Sequence, residues 1–128
     1  MKFKEPGLFN EYSELPIVLQ NLAQDFDLLS GFFGVEAVVT RVKEPIQGSS
    51  GVHEAGRAID FRDEYQGNFI YNSYQRVTLI KLLNDKYYRS DNHKSVISHR
   101  FQGGNLHFHL QVPADQTILK LWGGIKNG

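Results

Sequence analysis

Cysteine is absent from the 128 residues. That excludes disulfides and thiolate metal sites, so any metal here must rest on His, Asp or Glu. Neither sign of charge is in excess, since 14 Lys and Arg balance 14 Asp and Glu. Without net charge there is no global field to recruit nucleic acid or an anionic membrane, and neither partner is expected. No segment approaches the ~18 apolar residues needed to cross a bilayer, so no membrane insertion is expected. The opening Met1-Lys2-Phe3-Lys4-Glu5-Pro6-Gly7 lacks the apolar run of a signal peptide. The expectation is synthesis in the cytoplasm, with any later location depending on carriage or release by something else. Repeats, linkers and low-complexity tracts are also missing. What remains is 41% apolar and 22% charged, the composition of a soluble globular protein with one domain and one core.

Taken in order, residues 1–12 are polar, contain Pro6 and Gly7, and read as a loosely attached arm. Ser13 has the character of a helix cap, with Glu14 in the first turn, where the helix dipole favours negative charge. Leu15, Val18, Leu22, Phe26 and Leu29 then recur at spacings of three and four, one apolar helical face. Pro16 is tolerated in a first turn, and Gly31 and Gly34 end the helix. The β-branched run from Val35 to Val42 predicts a strand, and Pro45 to Gly51 a loop. Ala58 to Arg62 alternates, with Ala58, Asp60 and Arg62 on one face and Ile59 and Phe61 on the other. Glu64 to Asn72 reads as a polar connection. Asn72 or Ser73 caps a second helix whose stripe is Val77, Ile80, Leu83 and Tyr87. Arg89 to Lys94 reads as a polar loop. Ser95 to Gln102 and Leu106 to Val112 form a hairpin across Gly103-Gly104-Asn105. Residues 114–122 suggest a terminal helix carrying Leu119 and Trp122. This order predicts an α+β domain, helices packed on a small antiparallel sheet.

Two stretches carry chemistry. Val52 to Arg62 holds His53 and Asp60 seven positions apart, with Gly56 and Ala58 between them. Leu106 to Val112 places His107, His109 and Gln111 on one face of a strand and Leu106, Phe108, Leu110 and Val112 on the other. Neighbouring strands would then offer Asp60 and His109 to one ion, and the preceding loop would bring in His53. Gly56 suits the tight turn between two ligands. Two histidines and one carboxylate match a catalytic zinc, which keeps its fourth position for water. Their charge leaves such a site at net +1, which lowers the pKa of a bound water toward ~7.

His53-Glu54-Ala55-Gly56-Arg57-Ala58-Ile59-Asp60 resembles the His-x-x-Gly-x-Ala-x-Asp signature of the D-alanyl-D-alanine carboxypeptidase family, which includes phage L-alanyl-D-glutamate endolysins. The broader group takes in lysostaphin-like endopeptidases, penicillin-insensitive murein endopeptidase and the hedgehog signalling domain. The resemblance spans roughly Val38 to Val112. It implies a hedgehog-like α+β core, zinc on His53, Asp60 and His109, and His107 as a catalytic base or transition-state stabiliser. Arg41, after Val38-Val39-Thr40, falls roughly where relatives keep an arginine that contacts substrate or the developing oxyanion. Two departures stand out. Gly51 occupies the place of a serine two residues before the first histidine. The catalytic glutamate expected shortly before the last ligand is missing from Gln102-Gly103-Gly104-Asn105-Leu106. The base is then a histidine or is absent. If the hairpin loop is Gly103-Gly104-Asn105, His99 lies opposite His109 and is a second catalytic candidate; a register shift of one would put Arg100 there.

The resemblance implies a zinc metallopeptidase acting on the peptides of bacterial peptidoglycan, as a carboxypeptidase or endopeptidase of phage or bacterial origin, virion-associated or released on lysis. The alternative is a non-catalytic, hedgehog-like zinc domain with a structural or partner-binding role, and a third reading is a metal-free structural domain in a virion. The bond cut, the host and the oligomeric state are open.

Overall fold

The computed structural model describes residues 1–44, 51–100 and 103–121. Its centre is a five-stranded sheet in the order β1 (Lys2–Phe3), β2 (Val38–Arg41), β3 (Ala58–Arg62), β8 (Leu106–Gln111) and β7 (Val96–Arg100). All neighbours are antiparallel except β1 and β2, which are parallel. Two small ribbons complete the strands: β4 (Glu64–Tyr65) with β5 (Asn68–Phe69), and β6 (Tyr87–Arg89) with β9 (Leu119–Leu121). The helices are α1 (Gly7–Ser13), α2 (Ile17–Phe32) and α3 (Ser73–Lys86). This is the α+β organisation predicted, with one strand parallel at the edge.

Alternation along β3 and β8 splits the sheet into two faces. Ile59, Phe61, Phe108 and Leu110 are fully buried under α2. Phe26 of α2 stacks on Phe61 at 4.2 Å between centroids and meets Phe108 edge-on at 4.9 Å. Aromatic contacts of this kind add to the area they bury. The apolar side of the central strands is thereby committed to the core. Asp60, His107 and His109 are left on the opposite face.

Four expectations are corrected. The N-terminal dozen is no loose arm: the Lys2 N–H donates to the Ala37 carbonyl at 2.8 Å, and Leu8 and Tyr12 of α1 are buried. Leu8 and Tyr12 are four apart, one turn of helix, and Phe3 and Phe9 pack beside Tyr12. The long helix starts after Pro16, not at Ser13, because Ser13 closes α1 by donating its hydroxyl to the Asn10 carbonyl. It ends at a left-handed Gly34, whose φ of +74° favours glycine. In α3 the buried residues are Leu79 and Leu83; Val77 is exposed, and Tyr87 belongs to β6. The predicted terminal helix is a 3₁₀ turn at Gln116–Ile118 followed by β9, whose Leu119 and Leu121 pair with Arg89 and Tyr87. Three residues that alternate apolar, charged, apolar suit a strand better than a helical turn. Trp122 and the predicted loop residues 45–50 lie outside the described residues.

The cap of α3 is as predicted. Asn72 Oδ1 accepts from the Gln75 N–H at 2.8 Å, and Gln75 Oε1 accepts from the Asn72 N–H at 2.9 Å. This reciprocal pair satisfies two helix-end donors. Asn72→Ala should cost about 1 kcal/mol in denaturant unfolding, whereas Asn72→Asp should be close to neutral. No helix among the described residues is long and apolar enough to cross a membrane.

Candidate metal centre

His53, Asp60 and His109 come together as their spacing predicted. One ligand atom from each lies within 4.8 Å of the others, and His53 and Asp60 are almost wholly buried. Asp60 and His109 are direct cross-strand partners on β3 and β8. His53 arrives from a tight turn closed by the Ala55 N–H on Gly51, Gly56 on His53 and Arg57 on Val52. Gly56 has φ +73°, while a Cβ there would meet only Lys43 Cε at 3.9 Å. Backbone conformation, not space, therefore calls for glycine.

Hydrogen bonds fix how both imidazoles are presented. His53 Nδ1 lies 2.7 Å from the Val42 carbonyl oxygen, which can only accept, so Nδ1 carries the proton. The buried Nε2 then sits 3.2 Å from Asp60 Oδ1 without a hydrogen bond. His109 repeats the arrangement in mirror form. Its Nε2 is 3.1 Å from Gln111 Oε1, and its Nδ1 is 2.9 Å from the same Asp60 Oδ1. Both rings thus have an oxygen acceptor behind them and aim the other nitrogen at one carboxylate oxygen. Metal-bound histidines are held in this way. The second carboxylate oxygen, Oδ2, accepts from Arg41 Nη1 at 3.1 Å.

Without a metal the charges settle among themselves. Burial alone would raise the Asp60 pKa, but the His109 and His53 imidazoles beside it outweigh that and hold it below the usual carboxylate range. Burial disfavours the charged form of His109, yet Asp60 reverses the balance and its pKa is raised. The carboxylate stays ionised and draws positive charge to its Oδ1 side.

No protein-family model, no curated protein and no solved structure matches this chain. The His53, Asp60 and His109 group can hold a metal ion.

The other sequence candidates fall around this group. Arg41 reaches it because β2 carries a bulge: Val39 pairs with Phe61, but Arg41 pairs with Asp60. The extra residue turns the Arg41 side chain toward the carboxylate. His107 is half-buried, and burial lowers its pKa. His99 pairs with His107, not with His109, whose partner on β7 is Ile97. The expected register is off by two positions, since Leu106 pairs with Arg100 and not with Gln102. Phe101 and Gln102, read as strand and hairpin residues in the sequence, lie outside the described residues.

Three contributors went unrecognised. The parity of β8 already placed Gln111 beside His109. The Val42 carbonyl has no signal in sequence, since every residue has one. Glu64 folds back to accept the Leu106 N–H at 3.0 Å and the Arg100 guanidinium, and it lies near His107.

Gln111→Leu removes the acceptor behind His109 and should weaken metal binding about 10-fold in competition with a chelator. Unchanged affinity would mean that Nε2, and not Nδ1, binds the ion.

Proposed function

We propose that this protein is a zinc-dependent peptidase that hydrolyses peptide bonds of bacterial peptidoglycan, with its site arranged as in the hedgehog and D-alanyl-D-alanine carboxypeptidase group. The paired presentation of His53 Nε2 and His109 Nδ1 to Asp60 Oδ1 carries the reading. Two imidazoles, one carboxylate and no thiolate suit a catalytic zinc. Tetrahedral zinc at its usual bond lengths sets ligand atoms ~3.3 Å apart, close to the 3.2 and 2.9 Å separations found here. When bound, zinc supplies Lewis acidity to a carbonyl oxygen and to water. The chain's own residues do the rest. Arg41 fixes Asp60 through Oδ2, and its remaining N–H groups are the donors we assign to the substrate carbonyl. His107, on the same face two residues from His109, is the proton-transfer group, with His99 behind it on β7.

The rival reading is a non-catalytic zinc domain. Its support is the missing carboxylate: residues 103–106 offer none, and Glu64 is engaged with Arg100 and the Leu106 N–H. Incubation of zinc-loaded protein with purified peptidoglycan separates the two, with new amino groups as the readout. Release that disappears on chelation supports the peptidase. No release from several wall chemotypes, by protein shown to contain zinc, would favour the rival.

A further inference from the structure

The metal face of the sheet is ordered in rows across β3, β8 and β7. Asp60, His109 and Ile97 form the row that holds two of the ligands. Arg62, His107 and His99 form the next row on one side, and Ala58 and Gln111 lie on the other. Successive rows on one face are ~7 Å apart, two residues along a strand. One flank of the centre therefore carries a guanidinium and two imidazoles, and the opposite flank a methyl and an amide.

Arg62 differs from the other arginines of the chain. Arg41, Arg76, Arg89 and Arg100 are paired with Asp60, Asp63, Asp91 and Glu64, and Arg57 donates to the Val112 carbonyl. Arg62 makes no ion pair and no hydrogen bond among the described residues. Its guanidinium lies 4.2 Å from the centroid of the Tyr65 ring. Stacking on an aromatic face restrains the plane of the group but leaves its N–H edge for a ligand. A half-buried guanidinium held in this way suits bidentate recognition of a carboxylate. Glu64 does not occupy it, being held by Arg100 and the Leu106 N–H.

We propose that Arg62, with His107 and His99 beside it, forms a subsite for a carboxylate of the substrate, so that peptides bind in one direction with that carboxylate within about two residues of the hydrolysed bond. This rests on the peptidase reading and names the substrate feature it selects. The carboxylate belongs either to the peptide's C-terminus or to an acidic residue within it. Both sources offer the same chemistry to Arg62.

The test uses the stem peptide L-alanyl-γ-D-glutamyl-L-lysyl-D-alanyl-D-alanine in three forms: both carboxylates free, the C-terminus amidated, and the glutamyl α-carboxylate amidated. Dissociation constants are measured on zinc-loaded protein by calorimetry, and hydrolysis is followed separately as kcat and KM. One amidated form should bind about 10- to 100-fold more weakly than the free form, the loss of a charge-assisted hydrogen bond. Which form suffers identifies the carboxylate. Arg62→Gln should erase that difference with zinc content and melting temperature unchanged, and Arg62→Lys should keep part of it. Equal binding of all three forms by the parent overturns the subsite, as does discrimination that survives in Arg62→Gln. Hydrolysis of all forms with equal KM would sink the subsite and leave the peptidase standing. Arg62-dependent carboxylate binding with no hydrolysis would do the reverse. A parent that neither binds nor cuts any form overturns both.

Discussion

Saturating zinc is expected to raise the melting temperature by about 10 °C, and a chelator to remove that gain. An ion that binds only the folded chain at roughly 1,000 times its Kd stabilises it by about 4 kcal/mol. For a domain of this size each kcal/mol is worth about 3 °C. His53→Ala, Asp60→Ala and His109→Ala should each lose bound zinc by elemental analysis and lose the shift. The three differ without metal. Asp60→Ala strips Arg41 of its carboxylate, and breaking a buried pair from one side costs about 3–5 kcal/mol. That variant should therefore melt well below the metal-free parent, whereas His109→Ala, which leaves the Arg41 pair intact, should fall less. Full zinc in any of the three would remove that residue from the ligand set. A parent whose melting ignores both zinc and chelator would end the metal reading altogether.

How much of this was legible follows from which interactions are periodic. The faces of β3 and β8 come from strict alternation, so Asp60 and His109 were placed on one side with no knowledge of the fold. Their direct pairing needed in addition that the two strands be neighbours in one particular register, which the fold supplies. His99 was misplaced because register depends on where a loop begins, and glycines mark a turn without fixing its first residue. Arg41 was located, but not its engagement with Asp60: a bulge is one extra residue, and alternation carries no trace of it. The elements misread, β1, α1, β4, β5, β6 and β9, are each seven residues or shorter. Stretches of that length are decided by tertiary contacts more than by pattern. The Val42 carbonyl behind His53 belongs to the same class, since main-chain acceptors are positioned by the fold and leave the side-chain sequence unmarked.

On the proposed peptidase reading, His107→Ala should keep zinc and fold while losing about 10²- to 10⁴-fold in turnover, the worth of a positioned acid/base or oxyanion donor. His107 and His109 leave the same face of β8, so their Cβ atoms are ~7 Å apart. That separation keeps His107 out of the ligand group and within reach of a substrate held at the metal. Burial lowers its pKa, which favours the neutral ring that can accept a proton near neutral pH. His99, paired with it across the hairpin, stands one strand further from Asp60. His99→Ala should therefore cost less than His107→Ala. The assay is amino-group release from peptidoglycan, with zinc content measured on the same sample and the pH profile of kcat/KM recorded for each protein. Loss of a titrating base would flatten one limb of that profile in His107→Ala; a purely structural role would lower the whole curve without changing its shape. If His107→Ala cuts as fast as the parent and His99→Ala does not, the two roles are reversed, and the farther histidine must reach the substrate across the hairpin.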